Sequence, residues 1–388
     1  QISPSATSES LTAFKHFHRV VPNDGLQAEA LVQLCTHFNW TNIGILYVND
    51  AYGIYLFSSI LTRAAQIPGF KITGVSFETT NEKSIENGVN GIKTAGVLVT
   101  LLLAFHADME AIIYHFKNVG MWEYPYYFLG CDAWLDGSLD LTEDLSLTGS
   151  VGTCAWTSDA NYQDLELYAG SPYENVYNDT VKLMKKFIKA WNETNKGLLY
   201  GLDKPGLFSS YGYDVVYLLA HALTKYHNQY GIPNNITGYN HTILREILVQ
   251  TQFTGLTGTV SLNNYGDRIN GMWALCNLID KKEGQKNYKY IGYIIQTQTS
   301  PPKYTFHIDN SMIEWPIIFN GKQPRTYPVI TTKISVKSSW LVFMFSILSV
   351  ILIVASIIFG ILLIIWRHKD IIKSASWTLC LLMCIGCI

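Results

Sequence analysis

Residues 42–67 read NIGILYVNDAYGIYLFSSILTRAAQI. An apolar run of strand length gives way at Asn49-Asp50 to a segment whose apolar residues recur every three or four positions, the spacing of a helix. The alternation continues along the chain. KITGVSFE (71–78) is strand-like, SIENGVNGIKTA (84–95) helical, VLVTLLLAF (97–105) a buried strand, DMEAIIYHFKNVG (108–120) helical and YYFLGCD (126–132) a further strand. Near-continuous apolar strands separated by amphipathic helices predict an α/β fold built on a parallel sheet covered on both faces.

A second series follows. SVGTCAW (150–156) reads as a strand, and residues 176–194 form a helix with its basic side chains on one side. Residues 209–227 form another, with Ser209 or Ser210 as N-cap, and 241–252 a third. Residues 258–279 read as one hairpin turning at Asn263, Asn264 and Gly266, and 288–295 as a last strand. Two α/β clusters, each small alone, predict two lobes facing one another across a cleft. IEWPIIFNGKQPRTYPV (313–329), with Pro316, Pro324 and Pro328, reads as a linker and not as a core element.

Beyond it the chemistry changes. Residues 341–365 contain no ionisable side chain, and 19 of those 25 are Leu, Ile, Val or Phe. As a helix they reach roughly 37 Å, more than a hydrocarbon core of about 30 Å. Trp340 and Trp366 bracket the run where indoles favour a membrane interface. A first transmembrane helix is expected over 340–366, a cytoplasmic loop carrying Arg367, Lys369 and Lys373 over 367–374, and a second span, unfinished, over 375–388. With no signal peptide before Gln1, the chain is expected to be a piece of a longer multi-pass protein in the lipid bilayer of the plasma membrane, its N-terminal domain extracellular.

Other classes recede. Net charge is −2 with acidic and basic residues interleaved, which argues against nucleic acid. No GxGxxG or GxxxxGK[ST] motif supports a nucleotide, and no triad motif supports an enzyme. His16 and His18 share a strand face without a third ligand nearby, so neither metal nor cofactor is expected. Asp214, Arg245 and Glu246 read as surface or capping residues. Sequons at Asn39, Asn178, Asn192, Asn235 and Asn240 all precede the apolar run and suit an extracellular glycoprotein. Cys131 and Cys154 each follow a strand-like run and are the expected disulfide, whereas Cys35, inside a helical pattern, is expected to be a buried thiol.

QISPSATSESL (1–11), FHRVVPND (17–24), the stretch 38–53, YGYDVVYLLAHAL (211–223) and FTGLTGTVSLNNYGDR (253–268) together resemble the ligand domain of class C G-protein-coupled receptors. That domain is periplasmic-binding-protein-like, of the type I or Venus-flytrap kind. A linker running into a first membrane helix with no cysteine-rich module between them resembles the type B GABA (GABA-B) receptor branch. The resemblance implies an extracellular domain over 1–310, with lobe one at about 1–30 and 155–255 and lobe two at about 31–154 and 256–310. A linker at 311–339 and the membrane helices would follow. It further implies a receptor dimer, a heterotrimeric G protein as partner and a small amino-acid-like ligand.

In open parallel sheets ligands sit beyond the carboxyl ends of strands, where helix N-termini face the crevice. The turn SPSATS lies at such a place, and the resemblance gives Ser5 and Thr7 to the ligand's head group; an N-cap role for Thr7 remains open. Tyr52 matches an aromatic that packs on the ligand, and Asp132 an acceptor for its ammonium, with Trp134 as neighbour; packing and capping stay open as alternatives. Ala6 and Val21 depart from the family pattern. Phe208 stands where a charged residue reads the ligand's far end, which suits a hydrophobic amino acid better than GABA or glutamate. The alternatives are a partner subunit that binds nothing, and a ligand-gated channel or receptor cyclase with a similar front.

Overall fold

The structure, a computed structural model, describes residues 1–135, 147–156, 174–194, 205, 208–235, 238–279, 288–299, 302–326 and 339–366. It divides into two compact units, Gln1–Pro328 and Val329–Ile388. The expected cytoplasmic loop (367–374), the second span (375–388) and linker residues 327–338 lie outside the described residues.

Two short strands open the first unit: β1 (Ile2–Ser3) pairs in parallel with β2 (His18–Arg19). Helix α1 (Asp24–His37) follows, capped by Asn23, whose side chain accepts from the Leu26 N–H. Then β3 (Asn42–Val48) buries Ile43, Ile45, Leu46 and Val48 and becomes the axis of a four-stranded parallel sheet. The sheet runs in the order β4 (Lys71–Phe77), β3, β5 (Val99–Leu103), β6 (Tyr127–Leu129). Helices α2 (Ala51–Ala64), α3 (Glu82–Ala95) and α4 (His106–Asn118) are the crossovers. Asp50 and Asn81 cap α2 and α3 by accepting from Gly53 and Ser84 N–H, so the polar residues that end each apolar strand also start the next helix.

Beside this sheet lies an antiparallel one, β13-β12-β11-β7: β7 is Val151–Ala155, β11 Met272–Leu278, β12 Tyr288–Thr299 and β13 Pro302–Ile308. A parallel bridge between Gly130 and Gly152 joins β6 to β7. A Cβ on Gly152 would run into the Gly130 carbonyl, so only glycine allows that approach. Helix α1 packs on α2 and also on β7, β11 and β12, and all-round burial makes it the core helix of this half.

The other half holds β1 and β2 with a small antiparallel sheet of β8 (Phe253–Gly255), β9 (Gly258–Leu262) and β10 (Arg268–Ile269). Three helices belong to it: α5 (Glu174–Thr194), α6 (Ser209–Tyr230) and α7 (His241–Val249). The chain thus changes halves near Asn23 and again near Gly271, not at 30/31 and 255/256. Asp24–His37 packs with the parallel sheet, and Gly258–Ile269 pairs with β8.

Four expectations are corrected here. Residues 258–279 are not one hairpin. The turn at Asn263 and Gly266 forms, with Asn263 accepting from Tyr265 and Asp267 N–H, but β10 lasts two residues. Asn270, at φ +58°, then turns the chain out of that sheet so that β11 pairs with β7 and β12.

The disulfide joins Cys154 to Cys276, not to Cys131. Cys154 and Cys276 sit diagonally on the neighbouring strands β7 and β11, with Cα atoms 6.1 Å apart, a separation a disulfide spans. Cys131 is a buried free thiol directed at the Ala104 carbonyl, and Cys35 is likewise buried and free.

Residues 313–326 are not a free linker. Trp315 meets Phe38 edge to face with ring centroids 5.1 Å apart, the Trp40 indole N–H donates to the Pro324 carbonyl (2.8 Å), and Gln323 donates to the Phe38 carbonyl. The proline-rich segment lies against the end of α1, where Ile313 and Phe319 join the core and Trp315 packs against it. Lastly, neither Ser209 nor Ser210 caps α6: Phe208 holds the N-cap position with no side-chain cap.

The second unit contains α8 (Ser339–Ile365). Its stretch Ser346–Ile365 is long and apolar enough to cross a membrane, and large side chains around it (Val350, Ile351, Phe359) are exposed. Among the described residues it is one such helix.

Candidate functional site

The two halves meet around the first turn of α1. Asp24 is its first residue and Gln27 lies one turn on, so the two side chains share a helix face. Both are fully buried. From the parallel-sheet half come Tyr52, in the first turn of α2, and Asp132, just after β6; from the other half comes Thr7, whose carbonyl accepts from the Asp24 N–H at 2.9 Å.

These residues form one network. Tyr52 donates its phenol O–H to Asp132 Oδ1 at 2.7 Å. Gln27 Nε2 donates to the same Oδ1 at 2.6 Å and to the Thr153 hydroxyl on β7 at 2.9 Å. Burial pushes the Tyr52 phenol well above its usual range, and the charge of Asp132 adds to the rise. Tyr52 therefore stays a donor at any physiological pH.

Asp24 is different. Its one hydrogen-bond partner is the Thr7 hydroxyl, placed short of a well-aligned bond, and Gln27 Oε1 is unpartnered. Burial first, and then the nearby charge of Asp132, hold the Asp24 carboxyl well above the ordinary carboxylate range. The Thr7 hydroxyl and Arg19 oppose that rise. A buried carboxylate without donors is costly, by several kcal/mol in general, and such groups neutralise or take a cationic partner. The site therefore gathers buried acceptors that are short of donors, an arrangement that suits a small donor-rich cation.

Of the residues singled out from sequence, Tyr52, Asp132 and Thr7 come together here. Thr7 is buried, 6% exposed. Ser5 faces solvent; the hydroxyl that organises its turn is that of Ser3, which accepts from the Ser5 and Ala6 N–H groups. Trp134 is in the core, 0% exposed, with its indole N–H committed to the Leu102 carbonyl, and so it braces the strand ends beneath the site without a face for a ligand. Phe208 packs against the core at the start of α6, with its ring 6.0 Å from that of Tyr211. Asp24, Gln27 and Thr153 were not singled out, although Asp24 lies in the quoted segment FHRVVPND: an acid in a helix's first turn reads as a dipole partner unless its burial is known.

Of the two readings open for Asp214, surface or capping, the structure has capping. It is fully buried and caps the β8–β9 turn, accepting from Leu256 N–H (2.7 Å), Thr257 N–H (3.0 Å) and the Thr257 hydroxyl. Arg268 lies close by, donating to the Val20, Thr257 and Thr259 carbonyls. Arg19 and Asp267 form a buried ion pair at 2.6 Å. Among the described residues no group of three or more metal-ligating side chains is found. Of the sequon asparagines, Asn39, Asn192, Asn235 and Asn240 are exposed; Asn178 is half-buried on α5, with its Thr180 fully buried.

A parallel α/β half beside a second half, with buried acids where they meet, is the arrangement of a ligand-binding domain of the periplasmic-binding-protein-like kind. Residues 1–281 match the model of the receptor family ligand binding region, and the chain belongs to that family. Metabotropic glutamate receptor-like protein E of Dictyostelium discoideum is 25% identical over 307 residues, covering 73% of this chain and 32% of the relative. Probable metabotropic glutamate receptor mgl-1 of Caenorhabditis elegans is 38% identical over 56 residues, 14% of this chain and 6% of the relative. Glutamate receptor 3.1 of Oryza sativa subsp. japonica is 23% identical over 308 residues, 72% and 30%. The chain spans less than a third of the length of the first and second of these and 30% of the third. These relatives are receptors by name, not enzymes.

Proposed function

We propose that this chain is the ligand-binding part of a class C G-protein-coupled receptor subunit, close to the type B GABA receptor branch. In this reading a small amino-acid-like ligand enters between the two lobes, seats its ammonium against Asp24 and Asp132, and favours the closed arrangement. Closure then acts through the docked segment 313–326 on membrane helices beginning with α8, on a heterotrimeric G protein and on a partner subunit at the plasma membrane. The ligand can shift the lobes only by the difference in its affinity for the two arrangements.

The single observation that carries this reading is Asp24: a fully buried carboxyl, beside a second one, with no well-aligned donor beyond the poorly placed Thr7 hydroxyl. It also speaks against a subunit that binds nothing, for which a buried acid short of donors is a cost without return. The four cysteines before α8, two of them paired and two buried, support the branch that lacks a cysteine-rich module. The relatives named glutamate receptors support an amino-acid ligand, and Phe208 favours one with an apolar side chain.

The test is thermal unfolding of the full chain in lipid nanodiscs against a panel of L-amino acids and simple amines. At least one compound should raise the melting temperature, by about 2.7 kcal/mol of stabilisation at a hundredfold excess over Kd, and Asp132→Asn should abolish the shift. A panel that shifts nothing, or shifts wild type and Asp132→Asn alike, removes the binding role.

A further inference from the structure

We infer that Gln27 is a specificity-determining residue of this site, and that it makes the site select a primary ammonium over an N-methylated one. This rests on the reading of the Asp24–Asp132 pair as a cation site.

An amide side chain usually has an ambiguous orientation, since its oxygen and nitrogen can be exchanged. At Gln27 the neighbours remove the ambiguity. One end of the amide faces Asp132 Oδ1 at 2.6 Å and the Thr153 hydroxyl at 2.9 Å. A carboxylate oxygen only accepts, so the group facing it is the NH2. Tyr52, donating to that same Oδ1, confirms its acceptor role. The carbonyl Oε1 is thereby directed away from Asp132 and left without a partner inside a fully buried residue.

Three acceptor oxygens of α1's first turn thus lack a well-aligned donor: Asp24 Oδ1, Asp24 Oδ2 and Gln27 Oε1, with the Thr7 hydroxyl as the one, poorly placed, hydrogen-bond partner of the Asp24 carboxyl. A metal ion would ask for more ligating groups than the described residues gather. A primary ammonium carries three N–H donors and one positive charge, which answers three acceptors of which one residue is an anion. Each methyl placed on the nitrogen removes one donor, leaves one buried oxygen unpartnered and adds volume to a wall of close-packed groups. Gln27 has two duties: its NH2 fixes Asp132, and its carbonyl counts donors.

The experiment uses the full chain in lipid nanodiscs and isothermal titration with L-leucine, N-methyl-L-leucine and N,N-dimethyl-L-leucine; where L-leucine does not bind, the best binder of the amino-acid panel and its N-methyl forms take its place. Wild type should lose at least tenfold in affinity on the first methylation and more on the second. Gln27→Met keeps the shape of the side chain and removes both polar ends; it should bind the parent amine at least tenfold more weakly and discriminate against the N-methyl form several-fold less than wild type. Thr153→Val removes a partner of the NH2 end only and should keep the wild-type discrimination. A wild type that binds the dimethyl form within threefold of the parent overturns the inference without recourse to any variant, and so does a Gln27→Met protein with unchanged discrimination. If no primary amine binds wild type at all, it is the cation-site reading that fails, and this inference fails with it.

Discussion

Two buried carboxyls in this protein differ in one respect. Asp214, under the β8–β9 turn, and Asp24, at the start of α1, are both fully buried, and in both cases burial is the largest cause of a carboxyl held above its usual range. Around Asp214 every demand is met: two backbone N–H groups and a hydroxyl donate to it, and Arg268 stands near enough to pull its carboxyl back down. Around Asp24 the Thr7 hydroxyl is the one donor and it is poorly aligned, and the largest charge acting on the carboxyl is another acid. The first arrangement holds a turn together; the second leaves a buried acid short of donors. Burial alone does not mark a site, but burial without satisfaction does.

The largest effect that would break this comparison is at Asp214. Replacement by Ala leaves Leu256 and Thr257 N–H without an acceptor and Arg268 without its nearest carboxylate, and should destabilise the protein by about 3–5 kcal/mol, read by chemical or thermal unfolding. A loss below 1 kcal/mol would reduce Asp214 to an ordinary buried residue. Next comes Asp24→Asn, which should act in the opposite direction. Its folded-state carboxyl lies above the value of 3.8 expected when unfolded, so folding favours the protonated form. That contribution is complete below the unfolded value and is lost as pH rises toward the folded one. The variant should therefore be more stable than wild type at neutral pH by about 1–3 kcal/mol, and the gain should vanish below about pH 3.8. A destabilised Asn variant at pH 7 would mean that the Thr7 hydroxyl and its neighbours satisfy the Asp24 carboxylate.

Smaller changes sharpen the contrast. A Cβ on Gly255 would collide with the Asp214 carboxyl, so Gly255→Ala should cost about 1–3 kcal/mol, and the loss should be much smaller in an Asp214→Ala background. Thr257→Val removes only the hydroxyl donor to Asp214 and should cost about 1 kcal/mol in the same assay. Equal penalties for Gly255→Ala in both backgrounds would show that the clash is elsewhere.

Much of the frame was legible in the sequence. The strand runs around Ile43–Val48 and Val99–Leu103 are apolar without alternation, which already implies burial on both faces and hence parallel pairing with helical crossovers. Local turn chemistry was equally readable, down to Asn263 and Gly266. What stayed hidden depended on contacts between distant segments. Cys154 finds Cys276 across 122 residues because β11 leaves its hairpin at Asn270, a switch that periodicity does not record. Trp315 looked like part of a proline-broken tether, and only the position of Phe38 and Trp40 makes it core. The candidate site divided along the same line. Tyr52, Thr7 and Asp132 could be named from motifs, but Asp24 and Gln27 acquire meaning only from how few donors reach them, and the indole N–H of Trp134 is committed to a core carbonyl that no motif records.

The most direct test is an experimentally determined structure of the full chain with its tightest-binding amine from the panel. The account predicts the ligand nitrogen within about 2.7–3.2 Å of an Asp24 carboxylate oxygen and of Gln27 Oε1, with the Tyr52–Asp132 bond intact beside it. A ligand seated elsewhere, with both Asp24 oxygens still lacking a well-aligned donor, would contradict it.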